Sequence, residues 1–265
     1  MARVDLPESR LRARRKRRRA RVALVFVMSA LVCVGGLVGA TYLPLLQVSA
    51  VEVSGAQTLA TSTVEEYMSQ EITGRYWYLF PKRNIFLYPK RAIEQGLLAR
   101  YPELRAARVH AVNFHTIEAA VVEREPKAKW CTDDVCYLMD QTGVVYASGY
   151  GVQGLVSYWG KANGEKLPKQ YLTPEGFESL FALVDALSQK PDMGAVVSVV
   201  VDPQDDVSAR FDNGFNLKFA LGDAGGDVFE RFSLALESEP YKANALSDFE
   251  YLDLRFGDKL YYKLK

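Results

Sequence analysis

The sequence predicts an α+β protein: an N-terminal transmembrane helix, then a β-α-α-β-β domain, then a mixed β-sheet domain with covering helices. Three observations carry that prediction. A cationic run stops abruptly at a long uncharged stretch. Beyond it the apolar pattern switches from a period of two to one near 3.6 and back, in the order strand, helix, helix, hairpin. The second half then shows hairpin signals interleaved with two amphipathic helices.

Residues 1–21 carry ten basic side chains against Asp5 and Glu8, and no residue from Val22 to Val51 is charged. A helix over 22–43 covers about 30 Å, the hydrocarbon thickness of a bilayer. The excess of Lys and Arg before it makes 1–21 a cytoplasmic tail and places everything after Pro44 outside the cytoplasm. Two other readings use the same residues. Val38-Gly39-Ala40 offers small residues at the spacing of a processing site, but the apolar run is longer than the roughly 7–15 residues of a signal-peptide core. The expectation is a retained anchor. The Arg run also has the charge to neutralise nucleic-acid phosphates; abutting a span, it reads instead as a topology signal attracted to anionic lipid. The rest of the chain holds 23 basic and 30 acidic residues, which disfavours a polyanion partner outside.

The first domain is read over 44–125. Val48-Ser49-Ala50-Val51-Glu52-Val53 is a short strand stopped at Ser54-Gly55. Ser62-Thr63-Val64-Glu65 has the form of a capping box and opens a helix ending near Gly74. An aromatic, partly basic connection follows, Tyr76-Trp77-Tyr78-Leu79-Phe80-Pro81-Lys82-Arg83-Asn84, for which packing on the domain is expected over contact with the membrane surface. A second helix starts at Pro89, buries Ile93, Leu97 and Leu98, and stops before Pro102. Ala107 to Phe114 and Ile117 to Glu123 form a hairpin across Asn113-Phe114-His115-Thr116.

The second domain is read over 126–265 and opens with a cysteine pair. With Asp133-Asp134 as a two-residue turn, Cys131 and Cys136 oppose each other in a non-hydrogen-bonded pair, at a Cα separation of about 4.5–5.5 Å that suits a disulfide. Free thiols remain an alternative, and zinc would need further ligands, for which there is no second Cys pair and which His110 and His115 would complete only by chance. Cys33, in the span, reads as a small apolar residue. Tyr137 to Tyr146 alternates around Asp140-Gln141-Thr142-Gly143, a turn. Thr173-Pro174 starts a helix with Phe177, Leu180, Phe181, Val184 and Leu187 on one face. Ala195 to Val201 is a buried strand, Asp212-Asn213-Gly214 joins two more, and a helix over Asp227 to Glu237 turns Phe229, Phe232 and Leu236 inward. Phe249 to Phe256 and Lys259 to Lys263 close the chain as strands around Gly257-Asp258.

These residues resemble a known family. Strand–Gly–helix, then Tyr101-Pro102-Glu103-Leu104, then a hairpin ending in Glu123-Arg124-Glu125-Pro126-Lys127-Ala128-Lys129-Trp130 is similar to the POTRA (polypeptide-transport-associated) domain of the bacterial division proteins FtsQ and DivIB. Tyr251-x-Asp253-Leu254-Arg255-Phe256 before a short terminal strand resembles the end of the same proteins. The aromatic loop 75–88 and the Cys pair depart from the family pattern. The resemblance implies a non-enzymatic scaffold at the division septum, in the cytoplasmic membrane, that recruits and regulates septal peptidoglycan synthesis. It would act by binding single-span subunits like FtsB or DivIC and FtsL, with no cofactor, nucleic acid or small-molecule substrate. A transport accessory and a membrane-anchored cell-wall enzyme are the competing classes. The sequence carries no Gly-x-Ser-x-Gly, His-Glu-x-x-His or phosphate-binding glycine loop.

The expected partner site is the edge formed by the C-terminal segment, where unpaired backbone groups invite an added strand. Tyr251, Arg255, Phe256, Lys259, Leu260, Tyr261 and Tyr262 are its candidate residues. Alternation divides Leu260, Tyr262 and Leu264 from Tyr261, so that Tyr261, Phe256 and Arg255 are left as anchors of the kind enriched at interface hot spots. A second reading makes the lysines gatekeepers against nonspecific pairing.

Overall fold

The computed structural model describes residues 8–162, 166–190, 193–239, 241–257 and 259–265, with side chains from residue 14. Asp5, the turn residue Asp258, and the side chains of Glu8, Arg10 and Arg12 lie outside the described residues. Two compact units emerge: Met1–Ala99 with Ala106–Val122, and Arg100–Arg105 with Glu123–Lys265.

Residues 8–40 form one continuous helix, α1 (Glu8–Ala40). Arginine and lysine are good helix formers, so the charge step at Arg21 leaves the helix backbone unbroken. Helix α1 ends three residues earlier than the span expected from composition. Pro44 disfavours helical backbone at the residue before it, and Leu43 is extended, at φ −60° and ψ 130°. From Arg14 to Ala40 the helix is long and apolar enough to cross a membrane, and none of that window is buried.

The rest of the first unit is a three-stranded sheet with two helices. Strand β1 (Ala50–Ser54) leads to α2 (Thr61–Glu71), a two-stranded ribbon of β2 (Arg75–Tyr76) and β3 (Phe80–Pro81), then α3 (Lys90–Arg100) and the strands β4 (Leu104–Ala111) and β5 (Thr116–Glu123). The sheet order is β1-β5-β4, with β1 parallel to β5. Helix α2 buries Val64 and Met68 and α3 buries Ile93 and Leu97, one turn apart in each case; Leu98, expected inside, is only half-buried. The capping box is not used as read. Helix α2 begins at Thr61 behind Ala60, which places Ser62 inside the first turn. The β4–β5 turn is held by Asn113, whose Oδ1 accepts from His115 N at 2.7 Å and Thr116 N at 2.8 Å, an Asx turn.

The second unit is built on ten strands: β6 (Ala128–Cys131), β7 (Cys136–Met139), β8 (Val144–Ser148), β9 (Ser157–Gly160), β10 (Lys169–Gln170), β11 (Val196–Val201), β12 (Asp206–Phe211), β13 (Asn216–Ala220), β14 (Phe249–Phe256) and β15 (Lys259–Leu264). They pair in the order β10-β8-β7-β6-β9-β11-β12-β13-β14-β15. Three pairs are parallel, β6–β9, β9–β11 and β13–β14. Parallel neighbours need a crossover; α4 (Pro174–Ser188) lies in the one from β9 to β11 and α5 (Asp227–Leu236) in the one from β13 to β14. Strands β9, β11, β13 and β14 run one way, and both crossovers step the same way along the sheet. A common handedness therefore sends both helices to one face. They meet there, Lys190 Nζ donating to Ser233 Oγ at 2.7 Å.

Thr173 caps α4, its Oγ1 accepting from Gly176 N at 3.2 Å. Phe177, Leu180, Leu183, Val184 and Leu187 are buried, while Phe181 is only partly so. In α5 the buried stripe is Val228, Phe232 and Ala235. Phe229 and Leu236, expected inward, flank it half-buried because the stripe runs one position off the aromatic spacing. Beneath the helices the strands contribute Val199, Val201, Val207, Ala209, Phe211, Leu217, Phe219, Leu252 and Leu254 to one core.

A charged pair closes the start of this unit. Asp140 is 3% exposed; its Oδ1 accepts from Thr142 N at 2.8 Å, Thr142 Oγ1 at 2.7 Å and Val144 N at 3.1 Å, and its Oδ2 accepts from Arg124 Nη1 at 2.5 Å. Arg124 Nε also donates to the Pro102 carbonyl at 3.2 Å. Burial, and next the charge of Asp140, push the Tyr146 hydroxyl up to about 12. At the β6–β7 hairpin Thr132 N donates to Val135 O at 2.9 Å across Asp133-Asp134. Cys131 and Cys136 stand opposite each other, Cα atoms 4.0 Å apart, joined by a disulfide.

Candidate interaction edge at the C-terminus

Strand β15 is the last of the ten-stranded order, so among the described residues it pairs on one side alone, antiparallel to β14. Five of its six residues are exposed and Leu260 is intermediate. The ladder slips between Phe249 and Tyr251 and again between Asp253 and Phe256, irregularities of the kind that increase twist at a sheet edge.

The register sorts the seven candidate residues into two sets. Tyr262 lies opposite Leu252 and Tyr261 opposite Asp253, so the two tyrosines belong to opposite faces. On the helix-covered face Leu260 packs on the core, and the Tyr262 ring meets those of Tyr241 and Phe249, each at 5.8 Å. Tyr241 itself stacks on Phe249 at 4.4 Å. These contacts commit Leu260 and half of Tyr262 to holding the strand in place. The remaining residues form the outer face and the tip. Phe256 and Tyr261, 53% and 49% exposed, stand edge to face at 5.0 Å and make a contiguous aromatic patch. Tyr251 lies under Lys218 Nζ, 4.6 Å from its ring centre. Lys259 is exposed opposite Phe256.

Arg255 is not the free anchor that its position suggested. Its Nε donates to Asp253 Oδ1 at 2.9 Å and its Nη2 to Asp253 Oδ2 at 2.6 Å, a bidentate pair, while Nη1 binds Asp206 on β12. Asp253 is 4% exposed. Burial raises its pKa, and the side-chain and backbone bonds from Arg255 outweigh that and leave it below the usual carboxylate range. Those bonds to Asp253 and Asp206 in turn raise Arg255. A guanidinium held by two carboxylates fixes the end of β14 and lies beneath the patch, 5.6 Å from the Phe256 ring centre. Sequence reasoning missed Asp206, Lys218 and Tyr241, which sit on other elements and meet β14 and β15 only through sheet order. Lys263 reaches back to Glu250 at 2.5 Å.

Elsewhere, His110 is surface-exposed, its Nε2 3.6 Å from Glu118 Oε2. Among the described residues no group of three or more His, Cys, Asp or Glu side chains is placed to hold a metal.

The aromatic connection departs from expectation. Trp77 is 83% exposed and Tyr78 92%; both have positive φ, 46° and 62°, at the tip of the β2–β3 ribbon, where Leu79 N donates to Tyr76 O at 2.9 Å. Such backbone favours Asn-Gly, and bulky residues there cost about 1–3 kcal/mol each. A two-strand ribbon is too small to cover two large rings once its turn projects them. No protein-family model and no curated protein matches this chain, so its function is read from the geometry above.

Proposed function

We propose that this chain is a membrane-anchored, non-enzymatic scaffold of the FtsQ/DivIB kind, which takes up an extended segment of an FtsB- or DivIC-like single-span subunit, itself paired with an FtsL-like one, along β15. In this reading residues 44–125 form a POTRA domain. Its element order, with two helices between β1 and the β4–β5 hairpin, supports that assignment. The anchor in this reading is supported by α1 and the charge step before it; a septal position in the cytoplasmic membrane, with 44–265 outside, belongs to the proposal.

One observation carries the proposal: an edge strand that pairs on one side alone among the described residues ends beside a half-exposed aromatic pair, Phe256 and Tyr261, on a rigid base formed by Arg255, Asp206 and Asp253. An added strand would gain backbone hydrogen bonds from β15, and the pair would supply the side-chain selectivity. Aromatic truncation at such a centre costs at least about 2 kcal/mol, a roughly 30-fold loss of affinity. The double variant Phe256→Ala, Tyr261→Ala, which leaves the packing of Leu260 and Tyr262 in place, should therefore fold, reach the membrane and lose capture of the subunit. Wild-type affinity in that variant would remove this edge as the binding site.

A further inference from the structure

We propose that the tip of the β2–β3 ribbon is a membrane-interface clamp, with Trp77, Tyr78 and Leu79 entering the outer surface of the bilayer that α1 spans. The inference rests on the reading of α1 as a membrane span and goes beyond it, since a single span by itself leaves the unit that follows free to swivel.

Chain connectivity sets the depth of this tip. Val22 to Ala40, 19 residues, cover about 28 Å as helix, so Thr41 and Tyr42 emerge at the level of the lipid headgroups. The ribbon is fastened at that point. Tyr42 Oη donates to the Leu79 carbonyl at 2.7 Å, and Asn84 Nδ2 and Gln47 Nε2 donate to the Thr41 carbonyl at 2.9 and 2.7 Å. The Arg75 guanidinium lies 5.6 Å from the centre of the Tyr42 ring. Asn84 is 2% exposed, which makes this junction a built one.

The chemistry at the tip matches the place it occupies. Tryptophan and tyrosine prefer the membrane–water interface, where the ring is apolar and the N–H or O–H stays wet. Trp77, Tyr78 and Leu79 are 83%, 92% and 53% exposed, and the left-handed backbone of Trp77 and Tyr78 turns both out at the tip. Lys82, 5.8 Å from the Tyr76 ring, and Arg75 supply cations for lipid phosphates. Phe86 and Phe114, 69% and 58% exposed and 6.3 Å apart, continue the apolar surface beside the same junction. A soluble surface rarely carries such a patch without an occupant, and the occupant nearest by covalent geometry is the bilayer.

The test uses the intact protein reconstituted in phosphatidylcholine–phosphatidylglycerol vesicles, with and without bromine near the top of the acyl chains. Flotation reports the anchor, and the difference in fluorescence between wild type and Trp77→Phe isolates Trp77. The expected result is co-flotation, together with a Trp77 component that is lost in the brominated vesicles and shielded from acrylamide. Flotation with equal quenching in wild type and Trp77→Phe would overturn the clamp and leave the anchor standing, as expected if the tip instead serves a protein partner. Failure to float would overturn both.

Discussion

Replacing Arg124 with alanine tests how the second unit is closed at its start. The variant leaves the Asp140 carboxylate, 3% exposed, without its guanidinium. Breaking a buried pair by removing one partner costs about 3–5 kcal/mol. The two side chains are 14% and 4% exposed, so solvent replaces little of what is lost. Asp140 keeps three donors from Thr142 and Val144, which places the expected cost at the lower end, about 3 kcal/mol. For a unit of this size that lowers Tm by about 6–12 °C. Acid supplies an internal control. Burial raises the pKa of Asp140, and the bonds from Thr142, Arg124 and the Val144 and Thr142 amides outweigh it, so the folded value is depressed. A depressed carboxylate contributes stability above its unfolded pKa, about 3.9, and loses it as pH falls through the lower folded value. The gap between wild type and Arg124→Ala should thus be constant from about pH 5 to 8 and narrow below about pH 4. The assay is thermal unfolding of the full chain in detergent, followed through Trp130 and Trp159, which both lie in the second unit. A gap under about 1 kcal/mol at neutral pH, or one that persists unchanged into acid, would refute the reasoning.

Two further outcomes follow from local geometry. The disulfide between Cys131 and Cys136 closes a short loop, for which chain entropy gives roughly 2 kcal/mol; changing both to serine should lower Tm modestly and keep the fold, and thiol labelling of the native, unreduced protein at both sites would contradict the bond. At Gly160, φ is +98° and an added Cβ would lie 1.8 Å from the Val201 carbonyl of the neighbouring parallel strand, so Gly160→Ala should cost at least about 3 kcal/mol. Gly151→Ala, at φ +78° with nothing within 4 Å, serves as the control at about 1 kcal/mol, and equal midpoints for the two variants in denaturant titrations would count against the account.

Local signals were legible. The turns at Asp212-Asn213-Gly214 and Asp140-Gln141-Thr142-Gly143, the helix start at Thr173-Pro174, and the strand character of β14 and β15 could be read because each depends on a few adjacent residues. Phe256 and Tyr261 belong to the same class, since alternation along one strand puts Tyr261 opposite in face to Tyr262. Arg255 does not. Its role is set by Asp206, 49 residues away, and a basic residue near an exposed edge reads as a free anchor until its partner is found. The aromatic tip was misjudged for a related reason: hydrophobicity says that Trp77 and Tyr78 should be covered, and only the turn that carries them shows that they are not.

Taken by itself, the sequence determined the apolar helix, the α+β class and the order strand, helix, helix, hairpin of the first unit, while β9 and β10 went unread, because hydrophobic period, charge steps and turn chemistry are sums over neighbours in the chain and strands of two to four residues leave little of them. The tertiary structure alone decided that β6, β9 and β11 join two sets of hairpins into one ten-stranded sheet, that Arg124 answers Asp140, and that the aromatic ribbon is tied to the end of α1. Strand partners are chosen by which edges remain open once closer pairs have formed, and side-chain partners by which surfaces that choice brings within reach. Neither quantity is written in any short stretch of residues.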